Sequence, residues 1–291
     1  MKRKHNFWEN TIHGIFLIMG LVTVGCVLLI TVYLVIAGIP GISKIGLFRF
    51  LFGKTWMPTN PENPQFGILP FILTTVYGTA GTMVLGVPIG FFAAVYLSKM
   101  APPKVKSVVT SAVSLLAGIP SVVYGLIGML ILVPGIRKIF NVPDGSGLLA
   151  SILVLTVMIL PSIIKVSMTA LDSVPSEYED ASLALGATPV ETFFRVSVPA
   201  ARSGIAASIV LGVGRAIGEA TAVMMVSGNA PNMPSLFQSV RFMTTAVASE
   251  MSYAGEGLQR EALFSIALVL FFFIMLINAA LNFFTKKNRE D

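Results

Sequence analysis

Long apolar runs separated by short polar segments dominate the pattern of this chain. A helix needs about 20 apolar residues to cross the hydrocarbon core of a membrane. Five uncharged runs reach that length, and a sixth contains two charges. The pattern therefore predicts an all-α polytopic membrane protein with six transmembrane helices and both termini on one side. The predicted spans are Gly14–Ala37, Ile68–Leu97, Ser107–Ile136, Gly145–Ile164, Ser203–Asn229 and Ala262–Phe284.

These spans divide the chain into one membrane domain with flanking segments. The predicted segments are a cytoplasmic tail at 1–13, the first transmembrane helix at 14–37, an external loop at 38–67, the main transmembrane domain at 68–284 with a cytoplasmic loop at 171–202, and a cytoplasmic tail at 285–291. The first span follows three basic residues, as a secretory signal does. Its 24 uncharged residues are too many for a cleaved signal, so we expect a retained anchor.

Proline and glycine positions refine the prediction for the spans. The second and third spans have 30 uncharged residues each and contain prolines. Helix breaks in a membrane are tolerated where the freed backbone groups face protein or a water-filled cavity. Two interpretations stay open, a cavity lining or a tilted helix followed by an interfacial turn. Glycines four residues apart, at Gly86 and Gly90 and at Gly214 and Gly218, predict close helix packing.

Composition excludes a soluble fold. Of the 291 residues, 55% are hydrophobic and 12% are charged, and the mean hydropathy is +0.83. Soluble domains have about 25% charged residues. The single cysteine, Cys26, lies in an apolar run, which excludes a small secreted fold held by disulfides. Because lipid supplies the apolar surroundings, we expect one integrated bundle.

The net charge of +6 indicates how the chain is oriented in the membrane and does not indicate nucleic-acid binding, because the basic residues lie between the apolar spans. Cytoplasmic loops carry an excess of Lys and Arg. Placing both termini in the cytoplasm puts there Lys2, Arg3, Lys4, Lys99, Lys104, Lys106, Lys165, Arg195, Arg202, Lys286, Lys287 and Arg289. The external side then holds the smaller set of Lys44, Arg49, Lys54, Arg137, Lys138, Arg241 and Arg260. This bias predicts a multi-pass protein of a bacterial-type cytoplasmic membrane with both termini inside.

The cytoplasmic loop at 171–202 has the signals of two short helices. Ser176 with Glu179 three residues later predicts a capping box, and Gly186 is placed to end that helix. Thr188, Pro189 and Glu191 predict a second capped helix, which Pro199 would close. The positive end of the helix dipole at the start of the first helix stabilises acidic residues there, namely Glu177, Glu179 and Asp180. Helix stability alone explains these charges, but a rigid elbow also suits docking of a soluble partner.

Two charges lie inside the fifth predicted span. Arg215 and Glu219 are four residues apart, so a continuous helix would place them on one face. An ionisable residue within the membrane indicates a functional site by default. A guanidinium matches two oxygens of an oxyanion, which makes Arg215 a candidate contact for an anionic substrate, with Glu219 orienting it. The alternative is a buried pair that only fixes the helix register.

The cytoplasmic loop resembles the EAA loop of ABC importer permeases, whose pattern is E-A-A, three residues, G, nine residues and I-x-L-P. Here Asp180-Ala181-Ser182, then Gly186, then Val196-Ser197-Val198-Pro199 stand at the same spacing. Asp180 replaces Glu, Ser182 replaces Ala, and valines occupy both aliphatic positions. The resemblance implies a type I, MetI-like permease bundle. It also implies that this loop docks on a separate ATP-hydrolysing subunit, with Glu179 as a second acidic candidate beside Asp180.

Further segments resemble the permeases of phosphate-specific (Pst) importers. They are GRAIGEATAVMMVSGN at 214–229, LAGIPSVVYG at 116–125, FGILP at 66–70, and Trp56 with Pro58. The first two are closer to the C-type subunit than to its paralogue A. The resemblance implies a phosphate pathway formed with an A-type permease (PstA-like), a dimer of the ATP-binding subunit (PstB-like) and an external phosphate-binding protein (PstS-like).

Other functions have little support in the sequence. Phe48 stands where the first glycine of a P-loop ending at Gly53-Lys54-Thr55 would be required. His5 and His13 have no cysteine or carboxylate cluster nearby, so no metal site is predicted. We expect no catalytic residue and no cofactor, with ATP bound by the partner. Four alternatives stay open: an A-type subunit, an importer of sulfate or molybdate, a proton-coupled carrier using Glu219, and a membrane scaffold.

Overall fold

The computed structural model describes the backbone of residues 2–290 and the side chains of residues 8–281 and 283. The predicted cytoplasmic residues Lys2, Arg3, Lys4, Lys286, Lys287 and Arg289 lie outside the described side chains. The helices are α1 (Lys2–Ile45), α2 (Leu47–Phe52), α3 (Leu69–Val95), α4 (Pro103–Gly118), α5 (Ser121–Ile127), α6 (Val133–Phe140), α7 (Leu148–Asp172), α8 (Ser176–Ala184), α9 (Pro189–Thr192), α10 (Val198–Ala200), α11 (Arg202–Gly218), α12 (Thr221–Val226), α13 (Met243–Glu250) and α14 (Leu258–Glu290).

Three π-helical segments and one hairpin complete the described part of the chain. The π-helical segments are Tyr96–Met100 after α3, Gly128–Leu132 between α5 and α6, and Phe193–Ser197 between α9 and α10. Strands β1 (Trp56–Met57) and β2 (Gln65–Phe66) pair antiparallel, with Trp56 opposite Phe66. We call the end of the bundle that carries this hairpin the hairpin end. The opposite end, which carries residues 171–202, is the coupling-loop end.

The predicted all-α membrane architecture is confirmed. Five helices in the described part of the chain are long and apolar enough to cross a membrane: Trp8–Ile45, Leu69–Met100, Ser121–Phe140, Leu148–Asp172 and Leu258–Leu281. A sixth crossing is reached if α11 and the segment before it, Pro189–Ala200, which meet at 70°, are counted as one span. Helices α1, α7 and α14 extend beyond the first, fourth and sixth predicted spans at one or both ends. Where the membrane boundaries fall on them stays a prediction.

The third predicted span is divided into two helices. Its first part forms α4, and the membrane-crossing part begins after a break at Ile119 and Pro120. A residue before proline is pushed out of the helical region, and Ile119 is extended, with φ −70° and ψ 128°. The hydroxyl of Tyr124 donates to the carbonyl of Leu116 at 2.7 Å, beside the Ile119 N–H that donates to the same carbonyl, so this last-turn carbonyl has two donors at the break.

Helix α7 forms the centre of the bundle and packs mainly against α3 and α11. Gly86 and Gly90 of α3 face Ile159 and Ile163 of α7 so closely that an added Cβ would lie 2.6 and 2.7 Å from those side chains. This confirms the close packing predicted for that glycine pair. The other pair, Gly214 and Gly218, has no atom of this chain within 4 Å of an added Cβ.

The hairpin end has its own apolar core. Phe50, Trp56, Phe66 and Phe71 are buried there with residues of α13 and α14. The Trp56 ring makes edge contacts with Phe66 and Phe71, at centroid distances of 5.8 and 5.6 Å. Segment 38–67, predicted as an external loop, is therefore largely ordered into the end of α1, α2 and the hairpin.

Candidate functional site

The fifth predicted span is broken between α11 and α12. Helix α11 ends at Gly218, and Glu219 has an extended backbone with φ −76° and ψ 122°. The carboxylate of Glu219 accepts a hydrogen bond from the N–H of Ala222 at 3.0 Å, at the start of α12. Thr244 donates its hydroxyl to the carbonyl of Glu219, also at 3.0 Å. Backbone groups freed inside a membrane need such partners, so these two contacts stabilise the break.

This break corrects the prediction that Arg215 and Glu219 share one helical face. Because α11 stops before Glu219, the four-residue spacing no longer places the two side chains one turn apart. Among the described side chains, no ion pair joins them. The expectation that Glu219 orients Arg215 through a helical pair is therefore wrong. Whether either residue contacts a substrate stays a prediction.

Arg215 instead contacts a residue of another span. Its Nη1 donates to the hydroxyl of Ser162, at 3.4 Å, on α7. Arg215 and Ser162 are both partly exposed within the isolated chain. The arrangement offers a guanidinium and a hydroxyl from two neighbouring spans, which are donors that suit an oxyanion.

The first helix of the coupling loop, which we define as residues 171–202, starts differently from the prediction. Pro175 occupies the cap position of α8, Ser176 is the first helical residue, and no side chain caps the helix. The predicted box of Ser176 and Glu179 is therefore wrong. The Glu179 carboxylate lies 2.7 Å from the Lys99 ammonium and accepts a hydrogen bond from the Ser197 hydroxyl at 2.7 Å. Glu179 therefore forms an ion pair and a hydrogen bond with residues outside α8 instead of capping that helix.

The elbow between the two helices of the coupling loop is confirmed. Gly186 has φ +91°, a left-handed conformation that favours glycine, and its N–H donates to the carbonyl of Leu183. Thr188 and Glu191 form the predicted capping box: the Glu191 N–H donates to the Thr188 hydroxyl, and the Thr188 N–H donates to the Glu191 carboxylate. The hydrogen bond from the Thr188 N–H, then that from its hydroxyl, lowers the pKa of Glu191.

The second helix of the elbow is irregular. Helix α9 gives way to a π-helical segment, and α10 runs through Pro199 to Ala200, one residue beyond the predicted end. The hydroxyls of Ser182 and Thr192 lie 2.9 Å apart and join the two halves of the elbow. Chain direction then changes by 70° into α11.

An exposed apolar and acidic surface covers the outside of the elbow. Helix α8 has no buried residue. Leu185, at the tip before Gly186, is 90% exposed, and Tyr178 of α8 and Val190 of α9 are also exposed. Glu177, Asp180 and Ala181 are also exposed, whereas Glu179 and Ser182 are partly buried. Within the described part of the chain, nothing covers this surface.

A polar cluster at the hairpin end has no signal in the sequence that would select it. Arg241 forms an ion pair with Glu250 and donates from Nε and Nη2 to the carbonyl of Asn229. The Trp56 indole N–H donates to Glu250 at 3.0 Å, and Gln259 donates to the same carboxylate. Ser162 was missed as well, although a serine beside Pro161 within an apolar span was a usable signal.

Comparison with known proteins gives consistent results. The family described as "Binding-protein-dependent transport system inner membrane component" matches residues 86–290. The "Probable ABC transporter permease protein YqgH" of Bacillus subtilis is 37% identical, over 89% of this chain and 86% of the relative. The "Phosphate transport system permease protein PstC" of Mesorhizobium japonicum is 34% identical, over 80% of this chain and 76% of the relative. The protein of the same name in Haemophilus influenzae is also 34% identical, over 83% of this chain and 82% of the relative.

Solved structures confirm the predicted type I, MetI-like fold. An inward-facing structure of the MetNI methionine ABC transporter aligns with a TM-score of 0.59 at 22% identity. The alignment covers 76% of this chain and 97% of that chain. An amino acid ABC transporter aligns with a TM-score of 0.52 at 18% identity. The chain therefore belongs to the family of binding-protein-dependent transport system inner membrane components, within its PstC group of ABC transporter permeases.

Proposed function

We propose that this chain is the transmembrane permease subunit of an ATP-driven importer that moves inorganic phosphate across a bacterial-type cytoplasmic membrane. The similarity to PstC permeases, 34% over most of the chain, carries the choice of substrate. The bias of basic residues supports an orientation with both termini in the cytoplasm. In that orientation the coupling loop faces the cytoplasm and the hairpin end faces outward.

The proposed partners follow from the permease class. They are a second, PstA-like permease subunit, a dimer of a PstB-like ATP-binding subunit, and an external PstS-like phosphate-binding protein. Membrane lipid surrounds the bundle, and no nucleic acid takes part. The chain itself is not an enzyme and needs no cofactor, because ATP is bound by the partner. The exposed surface of the elbow, with Leu185 at its tip, supports docking of a soluble subunit there.

Arg215 is the proposed phosphate contact within the pathway. Its contact with Ser162 is long, at 3.4 Å, so an oxyanion could compete for the guanidinium at little cost. Glu219 contributes to the pathway by holding the break that follows Arg215. Among the described side chains, Arg215 forms no ion pair with Glu219 or with any other acid. The positive charge of Arg215 therefore remains available for an anion.

In this proposal, movement of the coupling loop reaches Arg215 through α11. Docking and closure of the ATP-binding subunits would displace α8 and the elbow at Gly186. The elbow continues through Pro199 into α11, which carries Arg215. Residues Glu177, Glu179, Asp180, Ala181 and Ser182 would thus act in coupling and not in substrate binding. Alternating access follows if α11 changes its angle relative to α7.

Uptake by the assembled complex in proteoliposomes tests the proposal. We expect ATP-dependent uptake of labelled phosphate, with little uptake of sulfate or molybdate. Arg215→Gln should lower phosphate uptake by about tenfold, because a charged hydrogen bond to the anion is lost. Arg260→Gln is the control at the exposed start of α14, outside α11 and the coupling loop, and it should leave uptake within about twofold of wild type.

Three outcomes would overturn the proposal in different ways. Preferred uptake of sulfate or molybdate would change the substrate. Uptake without ATP, driven by a proton gradient, would favour a secondary carrier. Normal uptake by an assembled Arg215→Gln complex would remove Arg215 from the pathway.

A further inference from the structure

The carboxylate of Glu179 joins three segments of the chain at the coupling-loop end. One oxygen, Oε1, receives both the Lys99 ammonium and the Ser197 hydroxyl, each at 2.7 Å. The Lys99 and Glu179 side chains are 23% and 21% exposed, so the pair is partly removed from water. Lys99 belongs to the π-helical segment that ends α3, and Ser197 to the one that follows α9. Short π-helical insertions are frequent at functional sites.

This contact separates the roles of two adjacent acids. Glu179 faces the body of the protein, whereas Asp180, one residue later, is exposed. Asp180 is the residue that aligns with the glutamate of the EAA pattern. Glu179 is therefore not a second copy of that acid on the docking surface, as the sequence had allowed.

Helix α8 depends on polar contacts for its position. None of its residues is buried, so apolar packing does not fix it against the membrane helices. Among the described side chains, the ion pair with Lys99 links it to the end of α3. Helix α3 in turn packs on α7 and α11, at Gly86 and Gly90 against α7. A displacement of α8 that is carried through Lys99 would therefore reach the helices around Arg215 by a second route, independent of the elbow.

We propose that the Lys99–Glu179 ion pair is the link that moves α3 together with α8 during the transport cycle. This inference rests on the proposed function as an ATP-driven importer. Glu179 and Lys99 are positioning residues: neither needs to touch substrate or the ATP-binding subunit. In this scheme the docking surface receives the motion, the ion pair transmits it to α3, and the bend at Ala201 transmits it to α11.

The test measures phosphate uptake and ATP hydrolysis together, in proteoliposomes with the complete complex. Lys99→Glu and Glu179→Lys each place like charges together. We expect each to lower the phosphate imported per ATP by about tenfold while hydrolysis continues, a typical magnitude for coupling between sites. The double variant restores the opposite charges and should recover the ratio to within about twofold. Recovery would not follow if each residue acted separately.

A neighbouring ion pair provides the matched control. Lys106 and Asp172 are 3.4 Å apart at the same end of the bundle. They connect α4 with α7 and, through Ser98, with the segment that carries Lys99, but they make no contact with α8 among the described side chains. Lys106→Glu should leave the ratio of uptake to hydrolysis unchanged. Equal uncoupling by Lys106→Glu and Lys99→Glu would overturn the link, because general charge repulsion would then explain both.

A tether tests the link without relying on charge reversal. With Cys26 replaced by serine, Lys99→Cys and Glu179→Cys can be joined by a short bifunctional maleimide. If α3 and α8 move as one unit, the joined complex should keep its uptake; loss of uptake on joining would overturn the proposal. Wild-type uptake distinguishes the two proposals. Its absence overturns the proposed function, whereas normal uptake with unchanged coupling in both single variants overturns only the link.

Discussion

Arg241 and Glu250 form an ion pair at the hairpin end, with side chains only 14% and 19% exposed. The pair joins the segment after α12 to the end of α13, and the Trp56 indole binds the same carboxylate. One cluster therefore connects the hairpin with the two last helices. Removing one member of a buried pair leaves the other charge without compensation.

Glu250→Gln should lower the free energy of unfolding by about 2 kcal/mol, less than for a fully buried pair because some water reaches the site. The midpoint of thermal unfolding in detergent would report the loss. Only two tryptophans are present, so Trp8→Phe leaves Trp56 as the fluorescent reporter beside Glu250. Glu261→Gln is the control, since its partner Lys44 is 57% exposed and that pair should contribute little. Equal shifts in the two variants would contradict this prediction.

The contact between α1 and α14 predicts opposite results for two glycines of the same helix. A Cβ at Gly41 would lie 2.4 Å from the Ser265 hydroxyl and 2.7 Å from the Glu261 carbonyl oxygen. Backbone cannot move aside as a flexible side chain can, so Gly41→Ala should separate the helices and lower stability by about 1–3 kcal/mol. Gly25 has no atom within 4 Å, and Gly25→Ala should be neutral or slightly stabilising. Thermal unfolding of both variants provides the comparison.

Local signals in the sequence predicted the parts of the structure that depend on local interactions. Apolar runs identified the membrane helices, and Gly186 with the Thr188 and Glu191 pair identified the elbow. Their contacts join residues at most a few positions apart. Pro120 similarly ends α4, through its effect on Ile119.

Contacts between distant residues account for what the sequence could not predict. The break at Glu219 depends on Thr244, 25 residues away, and the partner of Arg215 is Ser162, 53 residues away. Glu179 was expected to cap its own helix, but Lys99 from another element binds it instead. No periodicity within one segment reports which segments meet. For that reason the candidate residues were found but their partners were not.

Acid should weaken the cap of α9. The pKa of Glu191 is lowered in the folded loop, so its contribution to stability is complete above the ordinary value of 4.5 and is lost as the pH falls through the lowered pKa. Hydrogen exchange of the coupling loop, corrected for intrinsic rates, should therefore show reduced protection of the α9 amides between about pH 5 and pH 3. Thr188→Ala keeps the backbone N–H that contributes most to the lowered pKa of Glu191, so it should reduce this pH dependence without removing it, and it should raise exchange about fivefold at neutral pH. Unchanged exchange in Thr188→Ala would contradict the role of the cap.

Two equally exposed positions test the membrane orientation. Leu185 at the tip of the coupling loop and Tyr253 at the hairpin end are each 90% exposed. In a chain with Cys26→Ser, an impermeant maleimide added to intact cells should label Tyr253→Cys. Leu185→Cys should be labelled only after the membrane is opened. The reverse pattern would place the termini outside and would contradict the assignment from the basic residues.

Glu219 distinguishes an importer from a proton-coupled carrier. In the structure its carboxylate acts as a hydrogen-bond acceptor for the Ala222 N–H, and the amide oxygen of glutamine can accept the same bond. Glu219→Gln should therefore keep ATP-driven phosphate uptake within about threefold of wild type, since only the charge assistance of one bond is lost. Glu219→Leu removes the acceptor at the break and should lower both stability and uptake. A carrier that protonates this carboxyl group would instead fail in both variants, because glutamine cannot exchange the proton.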